Sequence, residues 1–290
     1  MSEVLTIVSL SADVSGPARQ APGATGPLVI RSMRGWSIAE TSVKPAQELV
    51  SWLEQEAASA GFDWAITPSA GRKKRLLISD MDSTIIGQEC LDELADFAGV
   101  KAEVSAITER AMRGELDFAG ALTERVAMLR GLGLEALDRC LAERVTLNPG
   151  ARELVATMKA HGARCVLVSG GFRFFTSRVA AMAGFVADRA NTLVDDGFRL
   201  TGEVAQPILG REAKLAALLE EAALIGAAPH DALAMGDGAN DLDMIVASGL
   251  GVAYKAKPVV AARTCARINY TDLRAALFFQ GYAPDDILSS

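Results

Sequence analysis

The chain has 290 residues, half of them hydrophobic and 22% charged, with a formal net charge of -7. That length buries a sizeable core and suits more than one compact unit, and the composition is that of an ordinary soluble globular protein. The acidic balance argues against a general nucleic-acid binder, and no apolar run approaches the ~20 residues that a membrane helix needs.

The amino terminus, Met1-Ser2-Glu3, is acidic, and the apolar stretch after it is short and lacks a basic lead, so no secretory signal is expected. Residues 1–70 read as a small α+β accessory unit. Val4 to Val8 and Leu28 to Ile30 are predicted strands, separated by a Gly/Pro/Ala-rich loop over residues 15–27. Ala46 to Ala60 has helical periodicity, with Leu49, Val50, Leu53 and Ala57 near one face, and Phe62 to Ile66 reads as a strand stopped by Pro68. The basic run Arg72-Lys73-Lys74-Arg75 lacks aromatic company and reads as a solvated linker.

Residues 71–290 follow another pattern. Leu76 to Ser79 is an apolar run short enough for a strand buried on both faces, and it delivers Asp80 and Asp82 to a sheet edge. Two carboxyls so close repel unless a cation or a proton intervenes. Four helices are expected next, at Glu89 to Ala98, Lys101 to Arg113, Asp117 to Leu129 and Leu134 to Glu143. This block, about 87–146, is an insertion that stands over the sheet edge as a cap. Strand and helix then alternate. Ala151 to Ala160, Phe172 to Ala183 and Arg211 to Ala223 are predicted helices; Arg164 to Val168, Ala232 to Met235, Leu250 to Tyr254 and Arg267 to Tyr270 are predicted strands. Leu193 to Asp195 and Phe198 to Leu200 read as a hairpin with a tight turn at Asp196-Gly197. The fold class implied is α/β, a Rossmann-like doubly wound parallel sheet with an inserted helical cap and a small N-terminal α+β domain.

Cys90, Cys140, Cys165 and Cys265 are scattered, which fits free thiols in a reducing compartment, and a cytoplasmic location is the expectation. His161 and His230 lie near no motif, so zinc has no obvious ligands.

Polar groups cluster at strand and helix ends. Asp80-Met81-Asp82-Ser83-Thr84 comes first, then Ser169-Gly170-Gly171, then Lys214, then Gly236-Asp237-Gly238-Ala239-Asn240-Asp241. Singly, each reads as a helix cap or a surface charge. Together and in this order, they resemble the four motifs of the haloacid-dehalogenase-like phosphohydrolases, over residues 76 to about 255. Within that superfamily, the helical block is similar to the cap of the phosphoserine phosphatases, with Glu89, Met112, Phe118 and Arg125 at matching spacings. The tail Thr271-Asp272-Leu273…Gln280-Gly281-Tyr282 resembles the bacterial members.

The resemblance implies Mg2+-dependent hydrolysis of O-phospho-L-serine to L-serine and phosphate through an aspartyl-phosphate, the last step of serine biosynthesis. It makes Asp80 the nucleophile and Asp82 the acid and base, with a pKa expected to be raised by its neighbour Asp80. Asp80, the backbone carbonyl of Asp82, and Asp237 are the expected Mg2+ ligands, all hard oxygens. Lys214, Ser169 and Gly170 are expected to hold the phosphoryl oxygens, Asn240 to reach the substrate, and Asp241 to support Lys214 or the metal's water shell. Glu89 and Arg125 offer an anion and a cation to the substrate's ammonium and carboxylate, while Met112 and Phe118 exclude water. The expected partner is that small molecule, with no nucleic acid and no membrane; the oligomeric state stays open, a homodimer included. A ligand-binding or dimerising, regulatory-like role for residues 1–70 stays open, and so do two other readings of the activity. One keeps the mechanism and takes another phosphomonoester, or transfers the phosphoryl group to an alcohol such as homoserine. The other is a phospho-accepting signalling module.

Overall fold

Ten strands join into one sheet whose two halves are built differently. The computed structural model describes residues 2–33, 35–44, 48–112 and 115–288. Strands β1 (Glu3–Ser9), β2 (Val29–Met33), β3 (Trp36–Val43) and β4 (Asp63–Pro68) form an antiparallel half in the order β2-β3-β1-β4. Strands β5 (Leu76–Ser79), β6 (Arg164–Phe172) and β7 (Ala187–Asn191) belong to the other half; β8 (Leu193–Asp195) and β9 (Leu200–Val204) form a separate hairpin. With β10 (Ala232–Gly236), β11 (Leu250–Tyr254) and β12 (Ala266–Ile268), the second half runs β12-β11-β10-β5-β6-β7, all parallel. The halves meet where β4 pairs antiparallel with β12, Ala65 opposite Ala266 and Trp64 opposite Arg267.

The helices are α1 (Ser15–Gln20), α2 (Leu49–Ala60), α3 (Cys90–Ala98), α4 (Lys101–Met112), α5 (Phe118–Ala127), α6 (Glu135–Arg144), α7 (Ala151–Ala160), α8 (Arg173–Ala183), α9 (Arg211–Leu224), α10 (Leu242–Ala247), α11 (Pro258–Ala261) and α12 (Ala275–Phe279). Successive side chains of a strand point to opposite faces. In the parallel half, Leu77, Cys165, Leu167, Leu233 and Met235 therefore join one core, with Leu154 and Phe175. Leu76, Ile78, Val166, Val168, Ala232 and Ala234 join the other, against Leu218 of α9 and Ile245 of α10. Two buried faces explain why these strands read as continuous apolar runs. In the antiparallel half, Leu5, Ile7, Leu53 and Trp64 form a third core, while Val8, Trp36, Ile38 and Ala65 belong to the first. Trp36 meets Phe278 of α12 edge-on, with ring centroids 4.8 Å apart.

Several local expectations need correction. The stretch expected as a loop holds α1 at Ser15–Gln20, and β3, which no apolar run marked, is the second strand of the sheet's antiparallel half. The basic run is no solvated linker. Arg72 bonds Thr6 Oγ1 (2.9 Å), the carbonyls of Phe278 and Phe279, and Glu40 (2.7 Å), while Lys73 lies 4.3 Å from the Tyr282 ring centroid. Lys74 and Arg75 are spent on the carbonyls of His230, Ile225 and Gly226. The β8–β9 connection is longer than a two-residue turn, because Asp196 Oδ1 accepts the N–H groups of Phe198 and Arg199 and its own N–H reaches Arg199 O. The first part of the helix expected from Ala46 lies outside the described residues; α2 is described from Leu49.

The cap is α3 to α6, entered and left by two linkers that hold each other. Gly87 N donates to Thr146 O (3.3 Å) and Asn148 N to Ile85 O (2.8 Å), and the Gln88 amide bonds Thr146 twice. The β8–β9 hairpin braces the cap, for Gly131 N donates to Leu200 O (2.8 Å) and Leu134 N to Phe198 O (3.0 Å). No helix among the described residues is long and apolar enough to cross a membrane.

Candidate active site

The parallel strands fan out to either side of the β5–β10 pair, the switch point at which open α/β sheets leave a crevice beyond their carboxyl ends. Asp80 follows β5 and Asp237 follows β10, so both carboxyls are delivered to that crevice. The Asp80 N–H extends the pairing by one bond to Met235 O (2.9 Å), which fixes the residue's direction. Lys214, in the first turns of α9, is buried beneath them. Its Nζ is 2.6 Å from Asp80 Oδ1 and 2.6 Å from Asp241 Oδ1. The other Asp241 oxygen accepts the Gly238 N–H (3.0 Å). Asp80 Oδ2 takes no hydrogen bond from the described residues.

The charge balance of this floor is uneven. Burial is the largest influence on Asp80 and, with Asp241 and Asp82, pushes its carboxyl well above the ordinary range, while Lys214 pulls it down. Burial works against the Lys214 charge, but the two carboxylates more than offset it and keep the ammonium protonated. Burial and Asp241 also push Asp237 up. One oxygen each of Asp80, Asp237 and Asp241 lies within 4.8 Å of the others. Around the whole site five carboxyl groups (Asp80, Asp82, Glu89, Asp237, Asp241) meet three cationic side chains (Lys214, Arg125, Lys257). An excess of hard oxygen ligands in a poorly solvated pocket fits a small divalent cation such as Mg2+.

Asp82 stands on the wall above. Its Oδ1 accepts the Cys90 N–H (2.9 Å) and its Oδ2 the Ser169 hydroxyl (3.1 Å), whose own oxygen accepts the Gly171 N–H (2.8 Å). Its carboxyl is raised, as the sequence suggested, but by another cause: burial does it, against the pull of the Cys90 and Ser169 hydrogen bonds. The apolar run of β6 ends before Ser169, whereas the strand carries on to Phe172 with a shift in register. The two glycines there sit in tight space. A β-carbon on Gly171 would lie 2.9 Å from Asp82 Oδ2, and one on Gly170 would lie 3.0 Å from the Phe118 ring.

The cap supplies the facing wall. Glu89 caps α3, and its Oε1 accepts the Ser83 hydroxyl (2.7 Å). Ser83 sits in the left-handed region at φ 53°, a strain of about 1 kcal/mol that leaves its side chain on Glu89. The Glu89 carboxyl is pushed up to about 7, first by burial, then by Asp82. Arg125 of α5 lines the same pocket, its Nε on Ala121 O (3.3 Å), and burial lowers its pKa against Asp92 and Glu89. Phe118, at the start of α5, reaches across to Gly170 of β6 and Gly210 at the start of α9.

A cavity of about 140 Å3 thus brings together Asp80, Asp82, Glu89, Phe118, Arg125, Ser169, Gly170, Asp237 and Asn240. Lys214 and Asp241 lie under its floor. Met112 ends α4, and its side chain is outside the described residues. Ser83, as the holder of Glu89, and Lys257, on the cavity wall, were missed. Lys257 carried a usable signal, since it lies three residues beyond the carboxyl end of β11.

A family model for haloacid dehalogenase-like hydrolases matches residues 77–245. A phosphoserine phosphatase of Polaromonas sp. is 48% identical over 200 residues, 67% of this chain and 85% of that protein. A HAD-family hydrolase from Salmonella enterica serovar Typhi superposes with a TM-score of 0.86 at 30% identity, covering 96% of this chain and 98% of that one. A solved structure described as a phospho-aspartyl intermediate analogue of phosphoserine phosphatase gives a TM-score of 0.66 at 36% identity, covering 71% of this chain and 99% of that one.

Proposed function

We propose a function from one established premise: this chain belongs to the haloacid dehalogenase-like hydrolase family. Its reaction is the hydrolysis of O-phospho-L-serine to L-serine and phosphate, the closing step of serine biosynthesis, in the cytoplasm. The observation that carries this reading is the pairing of an acid floor with a cap wall that offers one anion, Glu89, and one cation, Arg125, in the same cavity. A phosphoserine seated with its phosphoryl group on the floor presents an ammonium and a carboxylate to that wall. The names of the Polaromonas relative and of the phospho-aspartyl analogue support the same substrate and the same covalent chemistry. In domain terms, residues 1–70 are the accessory unit and residues 71–290 the catalytic one, with the cap at about 87–146.

The residues divide the work of phosphoryl transfer. Asp80 attacks phosphorus with its carboxylate, a P–O bond forms to the side chain, and the ester P–O bond breaks. Asp82, whose carboxyl burial pushes up, gives its proton to the departing serine oxygen. It then takes a proton from the water that attacks the aspartyl-phosphate, which releases phosphate and restores Asp80. Lys214 holds Asp80 through Oδ1 and balances charge on the phosphoryl oxygens, with the Ser169 hydroxyl and the Gly170 N–H. Asn240 reaches the substrate from the opposite wall, Asp241 holds Lys214, and Met112 and Phe118 keep water out. Asp80, Asp237 and the backbone carbonyl of Asp82 would hold Mg2+, with Asp241 beside them; the ion supplies positive charge to the phosphoryl oxygens.

A substrate panel with Mg2+ tests this directly. Phosphoserine should be hydrolysed with a kcat/KM well above that of other small phosphomonoesters, and added alcohols such as homoserine should not accept the phosphoryl group. A phospho-protein stable for minutes would instead favour a signalling module, which has no use for an acid and base at Asp82.

A further inference from the structure

One cation on the cavity wall has no part in the roles above. Lys257 follows β11 and caps α11, and its main chain is pinned on both sides. Its N–H donates to Asp237 O (3.0 Å), and its carbonyl accepts the N–H groups of Val260 (2.9 Å) and Ala261 (3.1 Å). The side chain lines the cavity and is exposed.

The three cations of the site are not equivalent. Lys214 is 2% exposed and lies between two carboxylates. Arg125 is half-buried, bonded to Ala121 O and near Glu89 and Asp92. Lys257 alone is exposed, and it forms no ion pair within 4.0 Å among the described residues. Its charge still reaches the floor, where it pulls the Asp237 carboxyl down against burial. The substrate needs such a group. A phosphate ester arrives with about two negative charges at neutral pH, at a protein of net charge -7 whose site holds more carboxyls than cations. Lys214 is sealed, so it cannot meet the ester at the mouth.

We propose that Lys257 is a further substrate-binding residue that captures the phosphate dianion at the cavity mouth and passes it to Ser169, Gly170 and the buried Lys214. This rests on the phosphatase reading above, but its test does not depend on the identity of the alcohol. An exposed cation beside the reacting group raises the local concentration of any anionic ester, and salt screens the effect.

The experiment compares wild type with Lys257→Gln and Lys257→Arg at saturating Mg2+, on phosphoserine and on an aryl phosphate, from low to high KCl. Lys257→Gln should lower kcat/KM for both esters about tenfold at low salt, with kcat falling less than about twofold, and the gap should close at high salt. Lys257→Arg should retain most of kcat/KM. Calorimetry with inorganic phosphate gives an independent readout, in which Lys257→Gln should weaken binding by a similar factor. A wild-type salt slope and wild-type phosphate affinity in Lys257→Gln would overturn the proposal. So would a loss confined to kcat with a raised Mg2+ half-saturation, because Lys257 would then act through the metal site. Failure of the phosphatase reading looks different: wild type turns over neither ester, while the phosphate titration still decides the role of Lys257.

Discussion

Asp63 and Asp80 are buried aspartates of the same sheet, one at the start of β4 in the antiparallel half and one just past β5 in the parallel half. Burial pushes both carboxyls up. What surrounds them differs. Asp63 accepts the N–H groups of Asn269 (2.6 Å), Tyr270 (3.0 Å) and Thr271 (2.7 Å) and the Thr271 hydroxyl (2.5 Å), so both of its oxygens are satisfied by the protein. Asp80 shares one ammonium with Asp241 and faces Asp237. A buried acid with its own donors ties two parts of a fold together. Buried acids that outnumber their donors are held for something the protein itself lacks, which on the function proposed above is a cation and a phosphoryl group.

The largest expected effect breaks the comparison on the catalytic side. Asp80→Asn should lower phosphate release by on the order of 10^3-fold or more, because the amide is no nucleophile. The same change removes a charge that burial disfavours, so the metal-free variant should melt higher than metal-free wild type. Addition of Mg2+ should raise the Tm of wild type by mass action and that of Asp80→Asn much less. Thermal melts with and without chelator check both statements. A variant that keeps turnover would remove Asp80 from the chemistry.

The opposite is expected at Asp63. Asp63→Ala leaves three N–H groups and a hydroxyl without their acceptor, at a cost of about 2–3 kcal/mol in denaturant unfolding. Because those donors follow directly on β12, the strand that pairs the two half-sheets, the loss should be global, while kcat in the folded fraction should stay near wild type. If kcat fell with no change in stability, Asp63 would not be the passive tie described here.

On the cap wall, Arg125→Ala should raise KM for phosphoserine about 10- to 100-fold and leave an aryl phosphate nearly unaffected, since only the former carries a carboxylate to lose. Steady-state kinetics on the two substrates separates these. Equal losses on both would mean that Arg125 shapes the cap and reads no carboxylate.

The same contrast between local and shared partners separates what could be read from the sequence from what could not. Asp80 and Asp237 were legible because each ends a short apolar run, and two-sided burial writes such runs plainly into sequence. Glu89 and Arg125 were found by spacing, and only through a family resemblance. The strand β3 was not legible. Its residues Glu40, Thr41 and Ser42 are polar, and Glu40 is acceptable in a sheet only because Arg31 and Arg72, from elsewhere in the chain, reach it. The basic run at Arg72 misleads for the same reason, since four adjacent charges look solvated until the distant carbonyls that accept from Arg72, Lys74 and Arg75 and the Tyr282 ring beside Lys73 are known. Lys257 and Ser83 were missed because what each one reaches is decided by a turn and by a neighbouring strand. The attachment of the β8–β9 hairpin to the cap is set by backbone bonds about 65 residues apart in sequence, which leave no local pattern.

The smallest expected effect concerns an acid that shares features of both kinds. Glu89 has a hydroxyl donor, Ser83, as Asp63 has, yet it faces Asp82, Asp237 and Asp92, as the floor acids do. Its carboxyl is raised from 4.5 to about 7, so folding favours the protonated form. The stability this contributes is complete below about pH 4.5 and is lost as pH rises through about 7. Glu89→Gln cannot ionise and escapes that loss. Metal-free wild type and Glu89→Gln should therefore unfold alike near pH 4.5, and the variant should gain as pH rises, levelling off above 8. The residue keeps solvent contact even though its carboxyl is desolvated by the protein around it, and screening by that solvent holds the gain to about 1 kcal/mol. Urea unfolding across that range checks it. A constant difference at every pH would show that Glu89 acts through packing, and a difference that shrinks with rising pH would place its charge in a favourable pair with Arg125.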